Sequence, residues 1–205
     1  MKPVIALTKG RLEKQFLSFF ASIGYDINPL IEKGRKLRVE THEFAFIFAK
    51  GPDVATYVQY GIADLGIVGG DILAEFQPDV YDLLPLPFGQ CRMAVATEKG
   101  KSWSNQKKYI ASKYTGITKA FFKDKGESVE IIKLEGSVEL APILGLADAI
   151  VDIVETGTTL KENGLVIDEE FMEFSARLIA NRASLKIKRQ QLNPIIEKLQ
   201  QKENE

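Results

Sequence analysis

The 205-residue chain sets 27 Lys and Arg against 28 Asp and Glu, a net charge of −1 with its one histidine neutral. Hydrophobic residues make up 45% and charged residues 27%, which excludes general disorder, and the even balance excludes a dedicated nucleic-acid binder, because phosphate-backbone affinity needs surplus cations. Cys91 alone builds neither an intramolecular disulfide nor a cysteine-rich zinc site, and His42 alone leaves a histidine-cluster metal centre without ligands.

Short apolar runs alternate with helical stretches, the pattern of an α/β protein with substantially parallel sheets. Residues 3–8 form a first predicted strand; Leu12, Phe16, Phe19, Phe20 and Ile23 then recur at helical spacing until Gly24. A buried strand is expected at 44–48 and a helix opening on Pro52 and Asp53 and closing at Gly61, followed by a strand at 64–68. After Pro85, Pro87 and Gly89 the chain restarts with a strand at 93–96, and residues 99–108 have the composition of a surface loop. Strands at 109–111, 129–133 and 149–154 then alternate with helices around 118–125 and after Ser137, which reads as an N-cap. One lobe is expected to comprise 1–92 with 171–205, the other 93–170. Residues 184–201 are amphipathic, with an apolar stripe at Leu185, Leu192, Ile195, Ile196 and Leu199, and Asn193-Pro194 restarts or kinks that helix. The apolar runs are shorter than the ~20 residues of a membrane helix, and charge interrupts the first residues too soon for a secretory signal, so a cytoplasmic location is expected.

The segment 149–160 carries the most chemistry. An Ile- and Val-rich strand runs into Thr156-Gly157-Thr158-Thr159, and Leu160 begins a short helix. Such a turn aims several backbone N–H groups one way, at a positive helix end, and so fits a phosphate. Gly157 permits close approach, and the hydroxyls of Thr156, Thr158 and Thr159 add donors. Asp152 and Glu155 are the odd members: an unpaired buried carboxylate costs several kcal/mol, so each needs a partner, and ribose hydroxyls, directly or through magnesium, would serve. A Thr-capped helix with Asp152 held by a local cation is the plainer alternative.

Glu139, Gly145, Ala147, Ile150, Asp152, Ile153, Thr156, Gly157, Thr159 and Leu160 together resemble the signature of ATP phosphoribosyltransferase, the family that opens histidine biosynthesis. Lys9-Gly10-Arg11-Leu12, Arg35-Lys36-Leu37, the run 63–69, Phe88-Gly89-Gln90-Cys91-Arg92 and the run 136–142 occur in that family's order, so the resemblance spans about residues 4 to 185. It implies two lobes, each a largely parallel sheet flanked by helices, similar to periplasmic binding proteins, with a substrate cleft between them. The implied reaction joins N1 of ATP to phosphoribosyl pyrophosphate, releases pyrophosphate and uses Mg2+ held mainly by substrate, with Asp152 as the protein group that could reach it. No protein nucleophile is needed. The length resembles the short-form catalytic subunit, which works in a hetero-oligomer with a regulatory subunit resembling histidyl-tRNA synthetase.

Lys9, Arg11, Arg35 and Lys50 are the candidate catalytic cations, and two of them at a helix start oppose its dipole unless an anion is bound. Asp152, Glu155, Thr156, Gly157, Thr158 and Thr159 are the candidate phosphoribosyl pyrophosphate contacts; Gly10, Asp71, Arg92 and Glu139 are the candidate ATP contacts. Asp71 could equally cap a helix, and Arg92 could equally form an interlobe ion pair. The family commonly has arginine where Lys50 stands and lysine where Gly70 stands. Cys91 reads as a packed small hydrophobe, His42 as an edge residue, and Phe16, Phe19, Phe20, Phe121 and Phe122 as core. A salvage-type phosphoribosyltransferase and a two-lobed small-molecule-binding protein are the alternatives; adjacent acids would favour the first, a signal segment the second.

Overall fold

The computed structural model describes residues 2–101 and 108–203. The chain divides into two compact units, Met1–Gln90 with Ser175–Glu205, and Cys91–Phe174. In chain order the first unit contributes β1 (Val4–Thr8), α1 (Arg11–Ser22), α2 (Asn28–Ile31), β2 (Arg38–Glu40), β3 (Ala45–Ala49), α3 (Gly51–Gln59), β4 (Leu65–Gly69), α4 (Gly70–Phe76) and β5 (Tyr81–Pro85). The second holds β6 (Cys91–Glu98), β7 (Lys108–Ser112), α5 (Thr115–Asp124), β8 (Val129–Lys133), α6 (Leu140–Ile143), β9 (Ala149–Val154), α7 (Thr158–Glu162) and β10 (Leu165–Phe174). The chain then returns to the first unit through β11 (Ala176–Ala180), α8 (Arg182–Ile187) and α9 (Arg189–Glu203).

The first unit is built on a six-stranded sheet ordered β2-β3-β1-β4-β11-β5. Its centre is parallel, with Thr8 opposite Ala49 and Leu7 opposite Ile67. All five residues of β4 are buried, as expected of a strand covered on both faces. Helix α1 buries Phe16, Leu17 and Phe20, each burial stabilising by about 2 kcal/mol, and Phe20 stacks on Tyr25 with ring centroids 4.2 Å apart. A Cβ on Gly66 would meet Val58 Cγ2 at 2.7 Å, so the glycine is what lets α3 lie close on β4.

The second unit has a five-stranded sheet, β10-β6-β9-β7-β8, whose β9-β7-β8 side is parallel and whose β10-β6-β9 side is antiparallel. Both sheets are therefore mixed: parallel strands bear the helices, while antiparallel strands border them. Strand β10 alternates exposed with half-buried residues along most of its length, because one of its faces meets solvent.

Several local readings change. Residue 108 belongs to β7, so the surface-loop composition ends one residue earlier, and 102–107 lie outside the described residues. Ser137 is not the cap of α6; Glu139 holds that position, while Ser137 sits at φ 49. The C-terminal break falls at Lys188, between α8 and α9, and Pro194 lies inside α9. The stripe survives this change: Leu192, Ile195 and Leu199 are buried, with Leu185 and Ile196 packed against the same core.

Candidate functional site

In the first unit, the carboxyl ends of β3, β1 and β4 lie side by side, the place where open α/β sheets bind ligands. Lys9 follows β1 and donates its backbone N–H to Ala49 O at 2.9 Å, which sets it beside Lys50, the residue that follows β3. Lys50 is the N-cap of α3, with Pro in the first turn fixing the helix entry. Gly10 is the N-cap of α1 at φ 93, and a Cβ there would meet nothing within 4 Å. Within the protein, glycine there serves the positive φ and relieves no crowding. Arg11 opens α1, exposed at the same edge.

Arg35 lies in the turn before β2 and is exposed. Phe48 donates its backbone N–H to Leu37 O at 2.9 Å, so the register carries Arg35 beyond the same end of β3. Asp71 is buried in the first turn of α4. A Cβ on Gly69 would meet its Oδ1 at 2.1 Å, so this carboxylate folds back over the strand end and requires glycine there. Lys9, Gly10, Arg11, Arg35, Lys50 and Asp71 thus share one edge of the first sheet. A groove of about 580 Å3, lined in part by Lys2, Tyr25, His42 and Lys198, opens at the opposite end, ahead of β1, and is apart from these residues.

In the second unit, β9 ends at Val154 and the chain turns through Glu155, Thr156 and Gly157 into α7. Gly157 is left-handed, at φ 75 and ψ 2. A Cβ there would meet only one protein atom, Val154 Cγ1, at 3.8 Å, so within the protein the position wants glycine for its dihedrals. The helical ladder begins where Lys161 N–H donates to Gly157 O, leaving the amides just ahead of it unspent within the helix. The hydroxyls of Thr156 and Thr158 lie 3.0 Å apart, and Thr158 N–H points at Thr156 Oγ1 at 3.4 Å. Glu155, Thr156, Thr158 and Thr159 are exposed, while Val154 and Leu160 anchor the turn in the core.

Asp152 is half-buried on β9, and its Oδ1 accepts from Ile153 N–H at 2.8 Å. A buried hydroxyl steadies the strand: Ser112 Oγ donates to Val151 O at 2.6 Å and accepts from Tyr114 N–H at 2.9 Å. Glu139 caps α6 after β8 and is half-buried at the carboxyl edge of this sheet. Arg92, on β6, donates from Nη1 to Glu155 O at 3.0 Å and meets Glu170 Oε1 with Nε at 2.5 Å. With the unit boundary at Cys91, this ion pair lies within the second unit. Ser112 and Glu170 had not been singled out: the first looks like any strand serine, and the second stands among several acids of an alternating strand.

Among the described residues no three His, Cys, Asp or Glu side chains gather into a metal-holding group, and no helix is long and apolar enough to cross a membrane. Cys91 is half-buried at the start of β6 and forms no disulfide.

Fold and turn together define a class of two-unit α/β proteins with a glycine-containing strand-to-helix turn at a sheet's carboxyl edge. A family model described as HisG, ATP phosphoribosyltransferase, matches residues 50–201. The ATP phosphoribosyltransferases of Bacillus cytotoxicus and Bacillus cereus (strain AH187) are 52% and 54% identical to the chain, with 96% of this chain and 95% of each relative covered. A solved ATP phosphoribosyl transferase (HisG:HisZ) complex from Thermotoga maritima superimposes at a TM-score of 0.84, with 36% identity over 97% of both chains. The alkanesulfonate-binding protein SsuA of Xanthomonas axonopodis pv. citri, 13% identical at a TM-score of 0.63 over 98% of this chain and 72% of that one, shares the fold alone. The chain belongs to the ATP phosphoribosyltransferase family.

Proposed function

We propose that this chain transfers the phosphoribosyl group of 5-phosphoribosyl 1-pyrophosphate to N1 of ATP, the first step of histidine biosynthesis. A C–N bond forms between adenine N1 and ribose C1 as the C–O bond to pyrophosphate breaks, and the leaving oxygen takes the electron pair. Family membership supports this reading, and the observation that carries it is the 155–159 turn, with Gly157 left-handed and the amides ahead of α7 outside its helical ladder.

The 5′-phosphate sits on the amides and hydroxyls of Thr156 to Thr159, and Asp152 and Glu155 take the ribose hydroxyls. Lys9, Arg11, Arg35 and Lys50 neutralise the departing pyrophosphate and align the two anionic substrates, which is where catalysis lies when the nucleophile belongs to the substrate. Gly10, Asp71 and Glu139 are the proposed contacts of ATP.

A divalent ion fits this arrangement as a companion of the substrate. Asp152 is the acid that would offer it an oxygen, and Mg2+ would supply charge neutralisation on the pyrophosphate. The T. maritima relative is a HisG:HisZ complex. We take this chain likewise as a short-form catalytic subunit that assembles with a regulatory subunit resembling histidyl-tRNA synthetase.

The test is pyrophosphate release by the complex with Mg2+, phosphoribosyl pyrophosphate and a panel of acceptors. Release with ATP and not with free bases supports the proposal. Release with a free base alone, or binding without turnover, contradicts it.

A further inference from the structure

We propose that Arg92 is a positioning residue for the 155–159 turn, acting on phosphoribosyl pyrophosphate through the backbone and not as an ATP contact. The inference rests on the reading of that turn as the phosphate cradle.

Core packing holds the two ends of the turn, and its middle faces solvent. Glu155, Thr156, Thr158 and Thr159 are all exposed, and α7 is five residues long. Fixing each such backbone residue costs about 1–2 kcal/mol of conformational entropy, so a cradle that must be ready for its anion needs a tether. Arg92 supplies one at the entry of the turn. It stands opposite Val154 in the β6–β9 register, and its Nη1 donates to the carbonyl of Glu155, the last residue before Thr156.

The guanidinium is itself aimed. Its Nε lies 2.5 Å from Glu170 Oε1, a charge contact without a linear hydrogen bond. Glu170 reaches it because β10 bulges: Glu170 pairs with Ala94 and Met172 with Met93, leaving Phe171 as the extra residue. Phe171 stacks on Phe121 of α5 with centroids 3.8 Å apart, which pins the bulge. Two neighbouring nitrogens of one planar fork thus join a carboxylate on β10 to a carbonyl beyond β9. Lysine, with a single ammonium, cannot hold both in that geometry.

Steady-state kinetics of the full chain in its complex tests this. Arg92→Ala and Arg92→Lys should each raise KM for phosphoribosyl pyrophosphate by about tenfold and Glu170→Gln by about threefold, with KM for ATP held within about twofold. A rise in KM for ATP alone, an equal rise in both, or no change would overturn the inference; Arg92→Lys and Glu170→Gln carry the test if the alanine variant does not fold. Gly157→Val separates the two readings. If it leaves KM for phosphoribosyl pyrophosphate unchanged, the cradle itself is wrong; if it raises that KM while the Arg92 variants do not, only the positioning role fails.

Discussion

Asp64 Oδ2 lies 2.8 Å from Lys188 Nζ, joining the entrance of β4 to the junction of α8 and α9 across 124 residues of sequence. The carboxylate is 2% exposed, and it also accepts from Val4 N–H at 2.8 Å and from Ser184 Oγ at 2.6 Å. One acid thereby ties the first strand, the central sheet and the returning C-terminal helices of the first unit.

Removing it leaves an ammonium and two donors without their acceptor. Asp64→Ala should destabilise the chain by about 3 kcal/mol, the scale for breaking a buried ion pair from one side. Chemical denaturation measures the change, and a loss below about 1 kcal/mol, the value of an exposed pair, would show that the cluster contributes little.

Gly157 holds φ 75 with room for a Cβ, so its substitutions should rank by tolerance of the left-handed region and not by size. Gly157→Asn should be milder than Gly157→Ala, with Gly157→Val worst, and the ordering should show in the affinity for phosphoribosyl pyrophosphate by calorimetry. Asparagine and valine variants of equal affinity would mean that the turn does not need this conformation.

Lys50 stands beside Lys9 at the strand ends, where the leaving pyrophosphate is proposed to lie. Lys50→Ala should lower kcat by about two orders of magnitude, near 3 kcal/mol, the scale of losing one charge-stabilising donor. Lys50→Arg should keep most of the rate, since the charge stays and a bidentate fork is gained. Wild-type turnover in the alanine variant would assign the leaving group to Lys9 or Arg35.

Burial, and then the Glu43 carboxylate, push the Tyr25 phenol above its ordinary value near 10. The folded state therefore keeps this proton when the unfolded chain loses it, and stability falls as pH rises from about 10 through the raised folded value. Tyr25→Phe keeps the ring stacked on Phe20 and should flatten that alkaline decline in urea titrations between pH 8 and 11. An unchanged decline would place its origin elsewhere.

The central parallel strands were legible because both faces are covered: β1, β3, β4 and β9 read as near-continuous apolar runs. Strands β2, β5 and β10 escaped notice because edge positions carry charged residues that read as surface. Buried β11, Ala176–Ala180, was missed for another reason: its apolar run is interrupted by Arg177, which pairs with Asp82 of β5 at 2.9 Å. Of the site, the Thr-Gly-Thr-Thr turn and the cations after β1 and β3 showed in the one-dimensional pattern, since strand-to-turn-to-helix chemistry is local. The Arg92–Glu170 contact did not show, because it depends on a bulge that pairs residues 78 positions apart.

The most direct measurement is the position of the sugar's 5′-phosphate in a crystal of the chain soaked with phosphoribosyl pyrophosphate. The account predicts that its oxygens lie within hydrogen-bonding reach of the amides and hydroxyls of Thr156 to Thr159, with Asp152 and Glu155 facing the ribose. A 5′-phosphate bound elsewhere, with that turn empty or closed over by its own side chains, would contradict it.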